Sequence, residues 1–378
     1  MDGIDPTLLE RALDPPIVVG AGRLVGELAA LDGPWALVTQ AEPLALLPPG
    51  LIGRAAAVRT VDSLAAADLE ALADGLTPGT RWVVGIGGGM ALDAAKWCAW
   101  RRGTRLLLAP GIVSVDAMVT NTVAVREGGG VVYRGFVVAD RIVVDPDLIG
   151  RAPARLNRAG VGDLLSIHSG LADWRLGAAA GSIAFDDEVA GAAAAVLGRV
   201  EAVALEIGAV SAAGLEEMVR GYAQVNALCL RVGHSGPEEG SEHYFGYHLE
   251  QVTGRSFIHG ELIGLGTVLM ATLQENDPAR AVRILDTCRV AWRPEEQALE
   301  RDVLVDALAG LRAFVRAQGL PHSVIDEADL APLSAAALLE RALATGRPGT
   351  SPPAIRRPAT SPPAIGHDDG TPSGGSER

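Results

Sequence analysis

The hydrophobic pattern of this chain changes at about residue 150, and this change constrains the fold more than any other feature. Before it, short β-branched runs alternate with helical segments, and these runs occupy residues 17–20, 35–39, 55–60, 81–87, 105–110 and 141–146. Strands that alternate with helices form a parallel sheet covered by helices. Residues 1–150 are therefore predicted to be an α/β domain with a parallel, Rossmann-like sheet.

The rest of the chain predicts a hairpin, a helical domain and a tail. Two alternating runs flank a Gly-Gly-Gly turn between Asp116 and Ala139, which predicts a hairpin added to the sheet. Residues 151–345 carry amphipathic segments without a strand pattern, which predicts an all-helical domain. Its helical segments are predicted at 153–176, 184–207, 212–231, 241–252, 259–275, 278–291 and 301–318. Residues 346–378 repeat TSPPAI and are rich in Pro, Gly and Ser, which predicts a disordered tail.

Charge and apolar content narrow the class of partner to small molecules. A formal net charge of −14 argues against nucleic acid, because binding its phosphates requires a basic face. We find no apolar run of about eighteen residues and no secretory signal, so a cytoplasmic protein without a membrane span is expected. The alanine-rich helices are compatible with a homo-oligomer. Three widely spaced cysteines, Cys98, Cys229 and Cys288, are predicted to be buried thiols.

Four of the seven histidines lie within a short part of the helical half. They are His234, His243, His248 and His259. Neutral imidazole is the commonest protein ligand for transition metals, so the cluster is a candidate metal site. Surface histidines, or core histidines with satisfied hydrogen bonds, would give the same clustering, and the pattern by itself leaves both interpretations open.

A glycine-rich turn follows the fourth β-branched run. In VVGIGGGMALDAAK, Val83 to Lys96, three consecutive glycines separate a strand from a helix. Glycines let the backbone approach a phosphate closely, and the N-terminus of the next helix attracts an anion, so the turn suits a pyrophosphate. The spacing is not GxGxxG, and a tight turn without a ligand is the alternative.

Taken together, these motifs resemble the iron-containing alcohol dehydrogenase and dehydroquinate synthase-like superfamily, within it the glycerol-1-phosphate dehydrogenases and, less closely, the glycerol dehydrogenases. The resemblance covers residues 20–321 and rests on GIGGGMALDAAK (85–96), APGIVSVDAMVTNT (109–122), AGVGDLLSIHSGLADWRL (159–176), GSEH (240–243) and FIHGELIGLGT (257–267). It implies a dehydroquinate synthase-like fold and a metal-dependent, NAD(P)-linked oxidoreductase. The implied substrate is a small polyol or polyol phosphate, interconverted with its ketone or aldehyde.

The resemblance also implies ligands for one divalent metal. The matching positions are Asp163, His243 and His259, with Zn²⁺ favoured and Fe²⁺ or Ni²⁺ as alternatives. Two imidazoles and one carboxylate leave a coordination position open, which is typical of a catalytic zinc site. For Asp163 alone, a helix cap is the structural alternative.

Cofactor and substrate contacts follow from the same likeness. The implied residues for NAD or NADP are Gly87, Gly88, Gly89, Asp93, Lys96, Ser114 and Gln40. Asp116 is the candidate for a hydrogen bond to a substrate hydroxyl. Asn121 and Tyr133 either line that pocket or are ordinary strand residues.

Two departures from the family pattern bear on the cofactor and on proton transfer. Gln40 stands where many relatives carry an acidic residue that holds the adenosine ribose, so NADP is as compatible as NAD. Relatives also carry a histidine four positions after the one matched by His243, where this chain has Tyr247 and then His248. Since one helical residue is about 100° of rotation, either Tyr247 transfers the proton or a distortion returns His248 to the pocket.

A third departure weakens a phosphorylated substrate. Before the metal histidine this chain has Gly236 in place of an arginine, followed by Glu238 and Glu239. Arginine binds phosphate in a bidentate manner, whereas carboxylates repel it. Three other arginines are candidates for reaching the same space from elsewhere in the chain: Arg134, Arg231 and Arg255.

Two other functions compete with the dehydrogenase. The segment HYFG after residue 242 is similar to the dehydroquinate synthase branch, a carbocycle-forming lyase that uses NAD and a metal. That branch typically has a glutamate as its metal carboxylate, and its lysine-rich phosphate contacts are missing here. A catalytically silent homologue is the other alternative, and the intact metal motif argues against it.

Overall fold

A parallel sheet organises the first part of the chain. The computed structural model describes residues 6–127 and 130–345. Six parallel strands pair in the order β1-β8-β5-β4-β2-β3. Their bounds are β1 Ile17–Val19, β2 Trp35–Thr39, β3 Ala57–Thr60, β4 Trp82–Gly87, β5 Arg105–Pro110 and β8 Arg141–Val144. The predicted parallel sheet is confirmed, and each of its strands lies within one of the six predicted runs.

The central strands are buried on both faces because helices cover both sides of a parallel sheet. Alternate residues point to opposite faces, so Val83 and Leu108 join the larger core while Val84 and Leu107 join a second, smaller one. The covering helices are α1 Pro6–Leu13, α2 Arg23–Ala29, α3 Ala41–Leu46, α4 Pro49–Ile52, α5 Ala66–Asp74, α6 Gly89–Arg102 and α7 Pro146–Ile149. The carboxyl ends of the strands meet at one edge.

The predicted hairpin forms a separate two-stranded antiparallel sheet. Its strands are β6 Val123–Glu127 and β7 Gly130–Arg134. The predicted turn falls partly on residues 128 and 129, which lie outside the described residues. The start of the hairpin is held by Lys96, the only lysine of the chain, whose ammonium donates to Thr120 Oγ1 (2.9 Å) and to the carbonyl oxygen of Thr122 (2.8 Å).

Among the described residues, only helices follow β8. They are α8 Ala154–Leu165, α9 Ile167–Ala179, α10 Asp187–Ala202, α11 Ala204–Gly208, α12 Ala212–Val232, α13 Ser241–Thr253, α14 His259–Leu273, α15 Pro278–Thr287, the 3₁₀ helix Pro294–Gln297, α16 Arg301–Gln318, α17 Val324–Glu327 and α18 Pro332–Ala344. The sequence predicted one helix over 153–176, whereas the structure has two, with a break at Ser166. It also predicted one helix over 184–207, which is divided at Val203, and it did not predict α17 or α18.

Helix α14 forms the centre of this helical part. Its residues from Gly260 to Thr272 are all buried, and it packs against α8, α13, α15 and α18. A helix that is apolar on every side must be enclosed by other elements, which explains why its neighbours surround it.

Other expectations have mixed outcomes. Cys98 and Cys288 are buried free thiols as predicted, but Cys229 is only partly buried. Within residues 6–127 and 130–345, no helix has the length and apolarity needed to cross a membrane. The predicted tail, 346–378, lies outside the described residues.

Candidate active site

The site is built where two helix backbones touch. A Cβ atom on Gly162 of α8 would overlap the carbonyl oxygen of Gly260 of α14, and a Cβ on Gly260 would overlap the carbonyl oxygen of Ala159. Only glycine permits an approach this close. The two glycines are the direct neighbours of Asp163 and His259, so the contact brings these two side chains together.

Three predicted ligands converge at this contact. Asp163 Oδ1 lies 3.2 Å from His259 Nε2 and 3.4 Å from His243 Nε2. One ligand atom from each residue lies within 4.8 Å of the other two. His243 is buried, whereas Asp163 and His259 are partly exposed, so the cluster has a protein side and an open side. Two imidazoles and one carboxylate at this separation fit a divalent transition metal.

Glu242, which the sequence analysis did not single out, orients His243. Its Oε1 lies 3.0 Å from His243 Nδ1 and accepts from the backbone N–H of Gly240 (2.6 Å), while Oε2 accepts from Ser169 Oγ (2.7 Å). A proton on Nδ1 leaves the Nε2 lone pair free for a metal, an arrangement common to metal-binding histidines. The available sequence signal was a glutamate directly before the histidine in GSEH.

Asp173 fixes the start of the helix that carries His243. Its Oδ2 accepts from the backbone N–H (2.8 Å) and the hydroxyl of Ser241, and its Oδ1 accepts from the N–H of Val324 (2.8 Å). Burial, and then the charge of the nearby Glu242, raise the pKa of Asp173 to about 6. This carboxylate joins α9, α13 and the segment before α17.

The electrostatics of the cluster favour a cation. Burial opposes ionisation of Asp163, yet His259 and His243 outweigh it and hold the pKa of Asp163 below its usual range. Burial likewise opposes protonation of His243, but its hydrogen bonds to Asp163 and Glu242 raise its pKa well above the usual value. The carboxylates therefore attract positive charge, which either protons or a metal ion can supply.

Further carboxyl groups lie beside the cluster. The loop after β5 is anchored to α8, because the N–H of Val113 donates to Asn157 Oδ1 (3.0 Å), and this loop carries Asp116. Burial, and then the charge of Asp163, raise the pKa of Asp116 to about 7. Burial, and then Asp116, raise the pKa of Glu238 well above its usual range. The predicted substrate residue Asp116 therefore lies among negative charges.

The structure separates Tyr247 from His248. Helix α13 is regular through both residues, so they point in directions about 100° apart. The hydroxyl of Tyr247 donates to Glu239 Oε1 (3.2 Å), and its ring lies 5.9 Å from that of His243. His248 packs instead against Phe314 of α16, with ring centroids 4.9 Å apart. Of the two residues, Tyr247 is therefore the one whose ring lies near His243, and α13 continues as a helix through His248.

The glycine turn meets Gln40 at the carboxyl edge of the sheet. Gly87 has a φ of +147°, and the Gln40 side chain would lie 3.5 Å from a Cβ atom on either Gly87 or Gly88. A Cβ on Gly88 would also meet Ile112 at 3.0 Å. Because the glycines have no side chains, the space above the turn stays open, and Gln40 lies at its border. Gly89 begins α6 and is partly exposed, as is Ser114 in the loop after β5.

Several other predicted residues have different surroundings. Asp93 Oδ1 lies 2.7 Å from Lys96 Nζ, and both side chains are buried. Asn121 is buried, and its Oδ1 accepts a hydrogen bond from Asn226 Nδ2 (3.3 Å). These surroundings are those of an ordinary structural residue. Tyr133 on β7 is 65% exposed.

Comparisons with known proteins agree with the predicted resemblance. No family model matches the chain. The chain is 31% identical over 264 residues to a glycerol-1-phosphate dehydrogenase (NAD(P)+) of Cenarchaeum symbiosum, covering 68% of this chain and 71% of that protein. It is 28% identical over 259 residues to the Aeropyrum pernix protein of the same name, covering 68% and 73%.

Solved structures share the fold at lower identity. A probable glycerol dehydrogenase from Sinorhizobium meliloti matches with a TM-score of 0.60 and 23% identity, covering 86% of this chain and 96% of that one. A glycerol dehydrogenase from Schizosaccharomyces pombe matches with a TM-score of 0.63 and 19% identity, covering 86% and 88%. At these identities the likeness concerns the fold alone.

The importance of the glycine contact can be tested by measuring the stability of variants of the protein. Gly260→Ala should lower the free energy of unfolding by about 3 kcal/mol, because the new methyl group overlaps a backbone carbonyl that cannot move freely. Gly198→Ala in α10 is the control, since its Cβ would meet no atom within 4 Å and should leave stability equal or higher by up to about 1 kcal/mol. Urea unfolding of both variants gives the comparison, and equal midpoints would contradict the role of the contact.

Proposed function

Because the chain belongs to the glycerol-1-phosphate dehydrogenase family, we propose that it is a metal-dependent, NAD(P)-linked oxidoreductase that interconverts a small polyol and its ketone or aldehyde. The observation that carries this proposal is the convergence of Asp163, His243 and His259 beside Asp116. An intact donor set also argues against a catalytically silent homologue.

Asp163, His243 and His259 are the proposed ligands of one divalent metal, with Zn²⁺ favoured over Fe²⁺ or Ni²⁺. A metal bound there would supply Lewis-acid polarisation of a substrate hydroxyl or carbonyl oxygen. Glu242 supports this assignment because it holds His243 in the tautomer whose Nε2 is free. The partly exposed side of the cluster leaves room for substrate.

Asp116, Tyr247 and Glu239 are the proposed substrate and proton-transfer residues. Asp116 is suited to accept a hydrogen bond from a substrate hydroxyl, because it lies near Asp163 in the loop after β5. Tyr247 is 37% exposed and bonded to Glu239, so this pair offers the hydroxyl proton a route to solvent. His248 has no part in this route, since it packs on α16.

NAD or NADP is proposed to bind with its pyrophosphate on Gly87, Gly88 and Gly89. The turn lies at the carboxyl edge of a parallel sheet and at the N-terminus of α6, where phosphates are favoured by the helix dipole. We further propose that residues 1–150 and 151–345 are separate domains and that the cofactor lies in the cleft between them. The neutral Gln40 is compatible with both cofactors.

The proposed substrate is unphosphorylated, in contrast to the substrate in the names of the relatives. Three other arginines were candidates for binding a phosphate in place of the arginine that is absent at Gly236, and each of them contacts other groups. Arg231 pairs with Glu188, Arg134 with Glu127, and Arg255 donates to carbonyl oxygens of the segment after α15. A phosphate would therefore meet Glu238 and Glu239 without a basic partner among these arginines.

The metal assignment predicts a difference between two histidine variants. His259→Ala should lose bound Zn²⁺ and polyol oxidation while retaining its circular dichroism spectrum, because a ligand is removed from a partly exposed position. His248→Ala is the matched control and should keep both metal and activity, since its ring lies against Phe314. Full metal occupancy in the His259→Ala protein would contradict the assignment.

The cofactor assignment predicts that Gly88→Val weakens NAD(P)H binding at least about tenfold. The side chain would fill the space above the turn, where Ile112 and Gln40 already limit it. Fluorescence titration with NADH and NADPH measures the effect. Gly191→Val, whose Cβ would meet no atom within 4 Å, is the control. Equal affinity in the two variants would show that the turn does not hold the cofactor.

The substrate assignment predicts that kcat/KM for glycerol exceeds that for glycerol 1-phosphate. Absence of a bidentate arginine should weaken phosphate binding by about 1.5–3 kcal/mol, or roughly ten- to a hundredfold. Absorbance at the NAD(P)H band, with the metal-loaded protein, measures both rates. A clear preference for glycerol 1-phosphate would restore the substrate named for the relatives.

A further inference from the structure

A cavity of about 210 Å³ lies between α9, α10 and the segment that joins α14 to α15. Side chains of α9 and α10, among them Leu171 and Leu197, form its apolar wall. Its polar wall includes His168, Arg175 and Arg280. None of the residues proposed above to contact a metal, a cofactor or a substrate lines this cavity, so it is a feature separate from the candidate active site.

His168 presents a hydrogen-bond acceptor to the cavity, because contacts on the other side of its ring fix the position of the proton. Its Nε2 lies 2.7 Å from the carbonyl oxygen of Asn276 and 3.3 Å from that of Asp277. A carbonyl oxygen can only accept, so Nε2 carries the ring proton. Burial lowers the pKa of His168, which keeps the ring neutral at pH 7. The other ring nitrogen, Nδ1, therefore has a lone pair and no proton.

The lone pair of His168 Nδ1 has no donor within the described part of the protein. The residue is only 9% exposed, yet no hydrogen bond from the described residues reaches Nδ1, and Nδ1 is not fully enclosed by protein atoms. Because His168 lines the cavity, a group bound there can donate to Nδ1. A largely buried acceptor without a protein partner indicates a place for such a donor.

Arg175 supplies an uncompensated positive charge at the same cavity. It follows His168 by about two turns of α9, so both side chains lie on one face of the helix. Its guanidinium has no ion pair or hydrogen bond with another described residue and lies 5.4 Å from the centroid of the Phe185 ring. Arg280 differs, because its Nε and Nη2 both donate to Glu201 Oε2 (2.9 and 2.7 Å). The cavity therefore has one arginine free to pair with a monoanion.

We propose that this cavity binds a small hydroxycarboxylate, with the carboxylate on Arg175 and the hydroxyl donating to His168 Nδ1. The inference goes beyond the proposed function and does not depend on it. Guanidinium and carboxylate form strong charge-assisted hydrogen bonds, and a hydroxyl can donate to an imidazole lone pair. The apolar wall of Leu171 and Leu197 suits the carbon skeleton. Sites for drug-sized ligands have volumes of roughly 300–1,000 Å³, so this smaller cavity suits a ligand of a few carbon atoms.

Other classes of ligand satisfy fewer of these groups. A metal cation would meet the positive charge of Arg175 and would find a single imidazole nitrogen. A carboxylate without a hydroxyl leaves His168 Nδ1 without a donor, and a neutral alcohol leaves Arg175 without an anion. Inorganic phosphate can pair with Arg175 and donate to His168, but it has no apolar part to contact Leu171 and Leu197.

Titrations followed by ligand-observed NMR test the two polar contacts separately. The compounds are 3-hydroxybutyrate, butyrate, which lacks the hydroxyl, and 3-hydroxybutyramide, which lacks the charge. We expect 3-hydroxybutyrate to bind with a Kd on the order of 1 mM and each of the other two to bind at least about fivefold more weakly. Inorganic phosphate is the fourth compound, and tighter binding of phosphate than of 3-hydroxybutyrate would overturn the assignment to a hydroxycarboxylate.

Variants locate the site of binding. Arg175→Gln should weaken binding of 3-hydroxybutyrate at least about fivefold. Arg220→Gln, which removes an exposed arginine paired with Glu216 on α12, is the matched control and should leave the Kd unchanged. Ala194→Leu should also weaken binding, because the larger side chain would occupy the cavity. Ala195→Leu changes the next residue of α10, which is equally classed as exposed but does not line the cavity, and should bind as the unaltered protein does.

The His259→Ala protein separates this cavity from the candidate active site, since a carboxylate can also coordinate a metal there. It should bind 3-hydroxybutyrate with unchanged affinity. Loss of binding in His259→Ala, equal affinity in Arg175→Gln and Arg220→Gln, or equal affinity for 3-hydroxybutyrate and butyrate would each overturn the inference. No binding of 3-hydroxybutyrate at tens of millimolar would overturn it as well. None of these results bears on polyol oxidation, which the experiments of the preceding subsection decide.

Discussion

Close contact between the backbones of α8 and α14 is the constraint on which the candidate site depends. Gly162 and Gly260 have no side chains to separate the helices, so the adjacent Asp163 and His259 approach within 3.2 Å. A third glycine acts similarly between α14 and α13, since a Cβ on Gly266 would lie 2.8 Å from the carbonyl oxygen of Glu242. The geometry of the three candidate ligands thus follows from helix packing and not from a flexible loop.

Buried carboxylates determine how that geometry is maintained. Glu242 and Asp173 are expensive to bury, and each is compensated by donors from several elements. Their hydrogen bonds orient His243 and fix the first turn of α13. Glu238 and Glu239, which precede α13, are only partly buried, and the hydrogen bonds to their carboxylates come from Cys229 Sγ and from the hydroxyl of Tyr247.

Much of the fold could be predicted because periodicity is a local property. The six runs of β-branched residues correspond to the six parallel strands, and the amphipathic segments correspond to helices. The breaks at Ser166 and Val203 were not predicted, since helical periodicity continues across them. At Ser166 the hydroxyl bonds to the carbonyl oxygens of Asp163 and Glu238, and the second of these partners lies 72 residues away.

The sequence by itself determined the element types, because periodicity is written locally, and its resemblance to a known family implied Asp163, His243 and His259 as candidate ligands. Only the tertiary structure decided which neighbours each side chain meets. His248 packs against Phe314, Tyr247 donates to Glu239, Asp93 and Lys96 form a buried ion pair, and Glu242 contacts His243. These contacts depend on how each helix is rotated against its neighbours and on hydrogen-bond donors from distant segments of the chain. The local spacing of residues in the sequence specifies neither of them.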